Sequence, residues 1–188
     1  MNPTGESVPS FDLGAPFTGE VPPNSHVRRW LAECVTLFRR LKDPWGLSAA
    51  LALAGEAALQ EAEPAHARPL LAEHLRLVVR LRMPRSAPWV LRCFARLEAD
   101  RGEWARAARL LGAADGLGGT PGEAGASDPE AGLPPAEAKA LSAARQALGP
   151  VPFATAWAEG LALSLDEAGD EALRDEPPAP PPAFPDGK

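Results

Sequence analysis

At 188 residues and a formal net charge of −6, the chain is long enough for one domain with a real core. No basic region followed by an apolar run marks a secretory signal, and the longest uncharged apolar stretch, Gly46 to Gly55, is too short to span a bilayer. Cys34 and Cys93, fifty-nine residues apart on apolar helical faces, read as buried free thiols and exclude a disulfide framework or a metal knuckle.

Met1 to Pro23 has five prolines and no periodicity and is expected to be disordered. Asn24 or Ser25 can cap a helix to about Lys42, with Trp30, Cys34, Leu37, Phe38 and Leu41 at the spacing of one buried stripe. Asp43-Pro44 is a stop and restart, because proline suits the first helical turn. A helix over about 45–60 follows, with Leu47, Leu51, Ala54, Ala58 and Leu59 along one side. Glu63-Pro64 opens the next, to about Arg82, striped by Ala67, Leu70, Leu71, Leu75, Val78 and Leu81.

Pro84 to Pro88 is a turn, with Ser86 a cap for a helix over about 88–100. Asp100 to Glu103 is a tight turn in which Gly102 takes the left-handed position, and Trp104 to about Asp115 is the last repeat helix. Gly116 to Pro134 reads as a loop. Pro134-Pro135 starts a helix to Leu148, and Gly149-Pro150 ends it. Phe153 and Trp157 share a face of a short helix over about 152–162, and Ser164 with Glu167 forms a capping box for a helix to about Arg174. Six prolines among the final twelve residues predict an extended tail.

The helical stretch Leu31 to Leu41 is written again forty residues later, at Leu71 to Leu81, with six of eleven positions identical. Pro44 answers Pro84 at the same offset, and a partial third copy begins at Leu111. A fixed period near forty is the mark of stacked helical hairpins. Small residues recur where the two helices of a hairpin would cross: Gly55 and Ala67, then Ala95 and Ala107 twelve apart again, with Ala114 beyond. This pattern resembles the tetratricopeptide repeat. The longer unit is similar to the divergent repeats at the C-terminal end of bacterial LuxR-type and SARP-type transcriptional regulators and large signalling ATPases. The stretches Arg106 to Leu117, Leu133 to Gly149 and Phe153 to Ala168 resemble the closing segment of that group. Leu161 stands where that segment usually has arginine, and Gly169 where it has an aliphatic residue, which implies a loosely docked final helix.

The expected architecture is therefore all-α: a superhelical solenoid of tetratricopeptide-like hairpins over 24–116, a linker over 117–133, capping helices over 134–174 and a tail over 175–188. The resemblance implies a non-enzymatic protein-interaction or ligand-sensing module of a regulator. With no candidate nucleotide-binding domain or helix-turn-helix outside the repeats, the chain reads as a stand-alone module or the remnant of a longer regulator. With neither signal nor span, a cytoplasmic setting with no membrane partner is expected.

No G-x-x-x-x-G-K-S/T phosphate loop is present, and His26, His66 and His74 lack carboxylates or thiolates at ligand spacing. Neither a cofactor nor a metal nor a catalytic constellation is expected. What remains is a surface. In the register set by Gly55 and Ala95, Ala49, Ala52, Glu56 and Gln60 face a concave groove from one hairpin, and Trp89, Arg92, Arg96 and Ala99 from the next. An aromatic platform beside two guanidinium groups suits an extended peptide with a carboxylate. The competing reading puts Trp89 in the core and leaves the arginines solvated or paired with Glu98 and Glu56. Residues 68–109 hold ten arginines against four acids, a surplus of +6 that leaves −12 elsewhere. That block keeps a nucleic-acid-associated regulator as the alternative, ranked lower because its arginines do not share one helical phase. An exposed terminal helix face also allows self-association.

Overall fold

The computed structural model describes residues 25–118 and 133–176. The segments expected to be unstructured lie almost wholly outside those bounds. Among the described residues eight helices follow in order: α1 (Ser25–Leu41), α2 (Pro44–Gln60), α3 (Pro64–Arg80), α4 (Ala87–Asp100), α5 (Trp104–Gly118), α6 (Pro135–Leu148), α7 (Pro150–Leu161) and α8 (Leu165–Leu173). There is no strand among the described residues, and none of their helices is long and apolar enough to cross a membrane.

Proline in the first turn starts five of these helices, α2, α3, α4, α6 and α7, where the missing N–H leaves no orphan donor. The Asp43 carboxylate caps α2, accepting from Trp45 N–H at 3.0 Å and Gly46 N–H at 3.1 Å. Ser86 precedes α4 but makes no side-chain cap. Pro150 begins α7 rather than merely ending α6, and α5 runs through Gly116 and Leu117 to Gly118, beyond the expected stop at Asp115.

The joints between the first five helices repeat with a period of twenty residues. Lys42, Ala62, Arg82 and Gly102 have φ of +53°, +56°, +52° and +79°. After each, the next N–H reaches back five residues: Asp43 to Phe38 O (3.1 Å), Glu63 to Ala58 O, Met83 to Val78 O and Glu103 to Glu98 O (all 2.9 Å). This is the Schellman closure, a left-handed residue that turns the chain while satisfying a terminal carbonyl. Only the fourth joint uses glycine; the other three hold a side chain in a region it disfavours.

Each of these helices packs on the next, α1 on α2 through α4 on α5. The main core joins α3, α4 and α5 to α6, α7 and α8, with Leu71, Leu75, Leu91, Phe94, Leu110 and Leu141 fully buried. The small residues noted in the sequence lie inside: Ala67, Ala95 and Ala107 are fully buried, and a Cβ on Gly55 would lie 2.6 Å from Leu71 Cδ2. The tightest contact is α5 against α7. A Cβ on Gly160 would lie 2.0 Å from Arg109 O, and one on Gly112 2.3 Å from Trp157 O, so the two backbones touch where neither residue has a side chain.

Two expectations are corrected. The final helix is firmly docked, because Gly169 lies against α3, 2.8 Å from Val79 Cγ2 for an added Cβ, and Ala168 and Ala172 are fully buried. A bulkier residue there would hold α8 off; the small one draws it in. The capping box closes its N-terminus, with Ser164 N–H donating to Glu167 Oε2 at 2.8 Å. The second correction concerns α1. Of its apolar stripe, Cys34 and Phe38 are half-buried, while Trp30, Leu37 and Leu41 are 62%, 50% and 63% exposed. Val35 is the residue that α1 buries, in a small cluster with Leu47, Ala50, Leu51 and Leu77. Cys34 and Phe38 pack toward the cluster shared with α2 and α3, whereas Trp30, Leu37 and Leu41 stand open, and no described element covers those three.

Candidate partner-binding groove

α2, α4 and α6 bring four ionisable side chains around Cys93, with Gln60 beside them. Glu56 on α2 is half-buried and accepts from the Cys93 thiol at 3.9 Å; Gln60, one turn on and exposed, donates to Glu56 Oε1 at 3.5 Å. Arg92 and Arg96 flank Cys93 on α4, both half-buried, one turn apart on the same side. Glu137 comes from the first turn of α6, 4% exposed, with Oε2 lacking a hydrogen-bond partner.

Electrostatics tie the group together. Burial raises the Glu137 carboxyl above its usual range; Arg92 and Arg96 pull it down and Glu56 adds to the rise. Burial, then the charge of Glu56, drives the Cys93 thiol well up, against the opposing pull of Arg96 and Arg92. A thiol held protonated in this way is a packing group and not a nucleophile.

Trp89 stands apart from this set. It is half-buried against the main core, its ring edge-on to His74 on α3 with centroids 5.7 Å apart. His74 in turn shares a hydrogen bond with Ser48 Oγ at 2.9 Å. Ala99 is 8% exposed and packs with Ala107 and Ala140, whereas Ala49 is open to solvent and Ala52 half-buried. The structure thus brings together Glu56, Gln60, Arg92 and Arg96 and assigns Trp89 mainly to packing. Glu137 was not singled out from the sequence. Its only local signal was an acid in the first turn after two prolines, a position explained equally well by the helix dipole.

Five other arginines of the basic block, Arg68, Arg82, Arg101, Arg106 and Arg109, are engaged by acids. Arg68 on α3 and Arg106 on α5 close on Glu98, which is fully buried on α4. Arg106 also holds Asp175 and donates to the carbonyls of Glu171 (2.8 Å) and Ala172 (3.3 Å), and Arg68 holds Glu176 at 2.8 Å. Burial opposes the Arg68 charge, but Glu176 and Glu98 outweigh it and raise its pKa. Arg82 pairs with Asp166, and Arg109 with Glu159 and Glu171. A depression of about 310 Å³ beside this network is lined by Arg101, Arg106, Arg109 and Arg174, but each of these four is already engaged by an acid. Among the described residues, neither Arg92 nor Arg96 closes an ion pair or a hydrogen bond. No protein-family model, no curated protein and no solved structure matches this chain.

Proposed function

We propose that this chain is a non-enzymatic helical-repeat module that holds a protein or peptide ligand at the surface where Glu56 of α2, Arg92 and Arg96 of α4 and Glu137 of α6 come together. The setting implied by its closing segment is a bacterial transcriptional regulator or signalling protein. One observation carries the reading. Arg92 and Arg96 are half-buried on a shared face and unpaired among the described residues, while Arg68, Arg82, Arg106 and Arg109 of the same basic block are bound to acids. Two guanidinium groups one turn apart, in a partly desolvated wall, favour a carboxylate that can accept from both. Glu56 and Gln60 supply acceptors and donors for a backbone beside it. The same pairing weakens the nucleic-acid alternative, since five of the ten arginines in that block are engaged by acids of this chain.

The test is capture from a bacterial cytoplasmic extract by wild type and by an Arg92→Ala/Arg96→Ala variant of equal helicity. Titration of the captured partner's peptides, with free and amidated carboxyl termini, then follows. The expected result is a partner retained by wild type alone and a loss of affinity of about tenfold or more in the variant. Equal retention by both proteins sinks the proposal.

A further inference from the structure

The exposed strip on α1 has a counterpart inside the molecule. In the forty-residue register, Trp30, Leu37 and Leu41 correspond to Leu70, Leu77 and Leu81 on α3. Those three leucines pack with Val35, Cys34, Phe38, Leu47 and Leu51, the side chains of the preceding helices α1 and α2. Glu33 corresponds to Glu73, which is held by Arg39 of α1. The α1 strip is therefore the face on which a repeat receives its neighbour, and on α1 it stands 50–63% exposed at all three positions. Trp45, 58% exposed at the start of α2, adds another ring beyond the turn.

We infer that a second copy of this chain covers this strip, α1 against α1, antiparallel about a twofold axis. Trp30, Cys34, Leu37 and Leu41 fall within about 60° of one another at ~100° per residue. Their spacings of four, three and four read the same in either direction. Antiparallel packing thus sets Trp30 against Leu41 of the other copy and the half-buried Cys34 against Leu37. The flanking charges select this orientation. Glu33 and Arg40 are exposed on the same edge of the strip. Antiparallel helices bring like edges together, so Glu33 of each copy meets Arg40 of the other. Parallel packing would press that charged edge against Leu31 and Phe38. The other exposed apolar surface, Val151 with Ala154 and Ala158 on α7, would pair with α1 only head to tail, which propagates without closing.

Sedimentation equilibrium of the full chain across a range of concentrations tests the inference. A reversible monomer–dimer equilibrium is expected. Trp30→Glu/Leu37→Glu should raise the dissociation constant about a hundredfold, with the circular dichroism spectrum unchanged because both side chains are solvent-exposed in the monomer. Glu33→Arg alone should weaken the dimer about tenfold, and Glu33→Arg/Arg40→Glu should restore it, a rescue that no purely structural role of either residue produces. A monomer at every concentration overturns the inference, as does a dimer indifferent to the α1 variants. So do assemblies that grow beyond two copies, which would select the head-to-tail contact. A monomer that dimerises only after removal of residues 1–24 would give the strip to that segment instead.

Discussion

Replacing Gly160 with alanine sets two effects of opposite sign against each other. Alanine is the better helix former by about 1 kcal/mol, so helix propensity alone would stabilise α7. Against this, the new Cβ would lie 2.0 Å from Arg109 O, 2.8 Å from Arg109 C and 2.9 Å from Ala113 N. These are backbone atoms of α5 and cannot rotate aside. Reaching an ordinary contact of about 3.4 Å requires the helices to part by more than ~1 Å, and the packing of Phe153 and Ala156 against α5 loosens with them. Overpacking against backbone should cost about 3–4 kcal/mol, at or above the top of the usual range. The net expectation is a destabilisation of about 2–3 kcal/mol once the propensity gain is subtracted. Urea unfolding followed by far-ultraviolet circular dichroism should show the midpoint lowered by about 1–2 M with the slope unchanged. Ala158→Gly, on the exposed side of the same helix, should lose only about 1 kcal/mol and calibrates the propensity effect. A Gly160→Ala protein as stable as wild type, or more so, refutes the claim that the α5 and α7 backbones touch.

Three further expectations rest on named groups. Burial lowers the His74 pKa to about 4, opposed by its bond to Ser48, and the ring is 3% exposed. The unfolded chain therefore binds a proton that the folded one refuses. The stabilising contribution is complete above the unfolded value of 6.5 and is lost as pH falls toward 4, by about 3 kcal/mol in all. Nuclear magnetic resonance should find His74 untitrated above pH 5, and a His74→Leu protein should lack this share of the acid sensitivity. Glu98→Gln leaves Arg68 and Arg106 facing a neutral group in the core. With Glu176 and Asp175 remaining as partners, the loss should be about 3 kcal/mol by urea midpoint, against under ~0.5 kcal/mol for Arg82→Gln in the exposed Arg82–Asp166 pair. Ala62→Gly relieves a left-handed alanine at φ +56° outside any helix interior and should raise stability by about 1 kcal/mol in the same assay.

The helices were legible because their punctuation is local. Asp43-Pro44, Glu63-Pro64 and Ser164 with Glu167 each act through backbone groups a few residues away, so reading them needs no knowledge of the fold. The burial of α1 was not legible in this way. Periodicity shows that Trp30, Leu37 and Leu41 share a face, but whether something covers that face depends on what neighbours it, and Val35 on another side turned out to be the buried residue. Gly169 failed for a related reason. Propensity makes it a weak point in α8, and only the nearness of Val79 turns it into a docking contact. The groove was half legible. The register of Gly55 and Ala95 brought Glu56, Arg92 and Arg96 to one surface, but Glu137 arrives from α6 across a long connection that no period of forty contains. Trp89 could have faced either way, and His74 on α3 decided it.

The four joints at Lys42, Ala62, Arg82 and Gly102 have a consequence for how such a chain can change length. Because each closes the same way, cutting after one and resuming after another splices two identical backbone conformations. Excision of residues 43–82 would connect Lys42 directly to Met83, and the following Pro84 would stand where Pro44 now stands. Gene-level gains and losses in whole forties keep every downstream helix in phase. An insertion of one or two residues inside a helix rotates all that follows on it by about 100° each and severs the next contact. A change of length made between two of these joints is thus the one that disturbs neither the turn nor the phase of the helices around it.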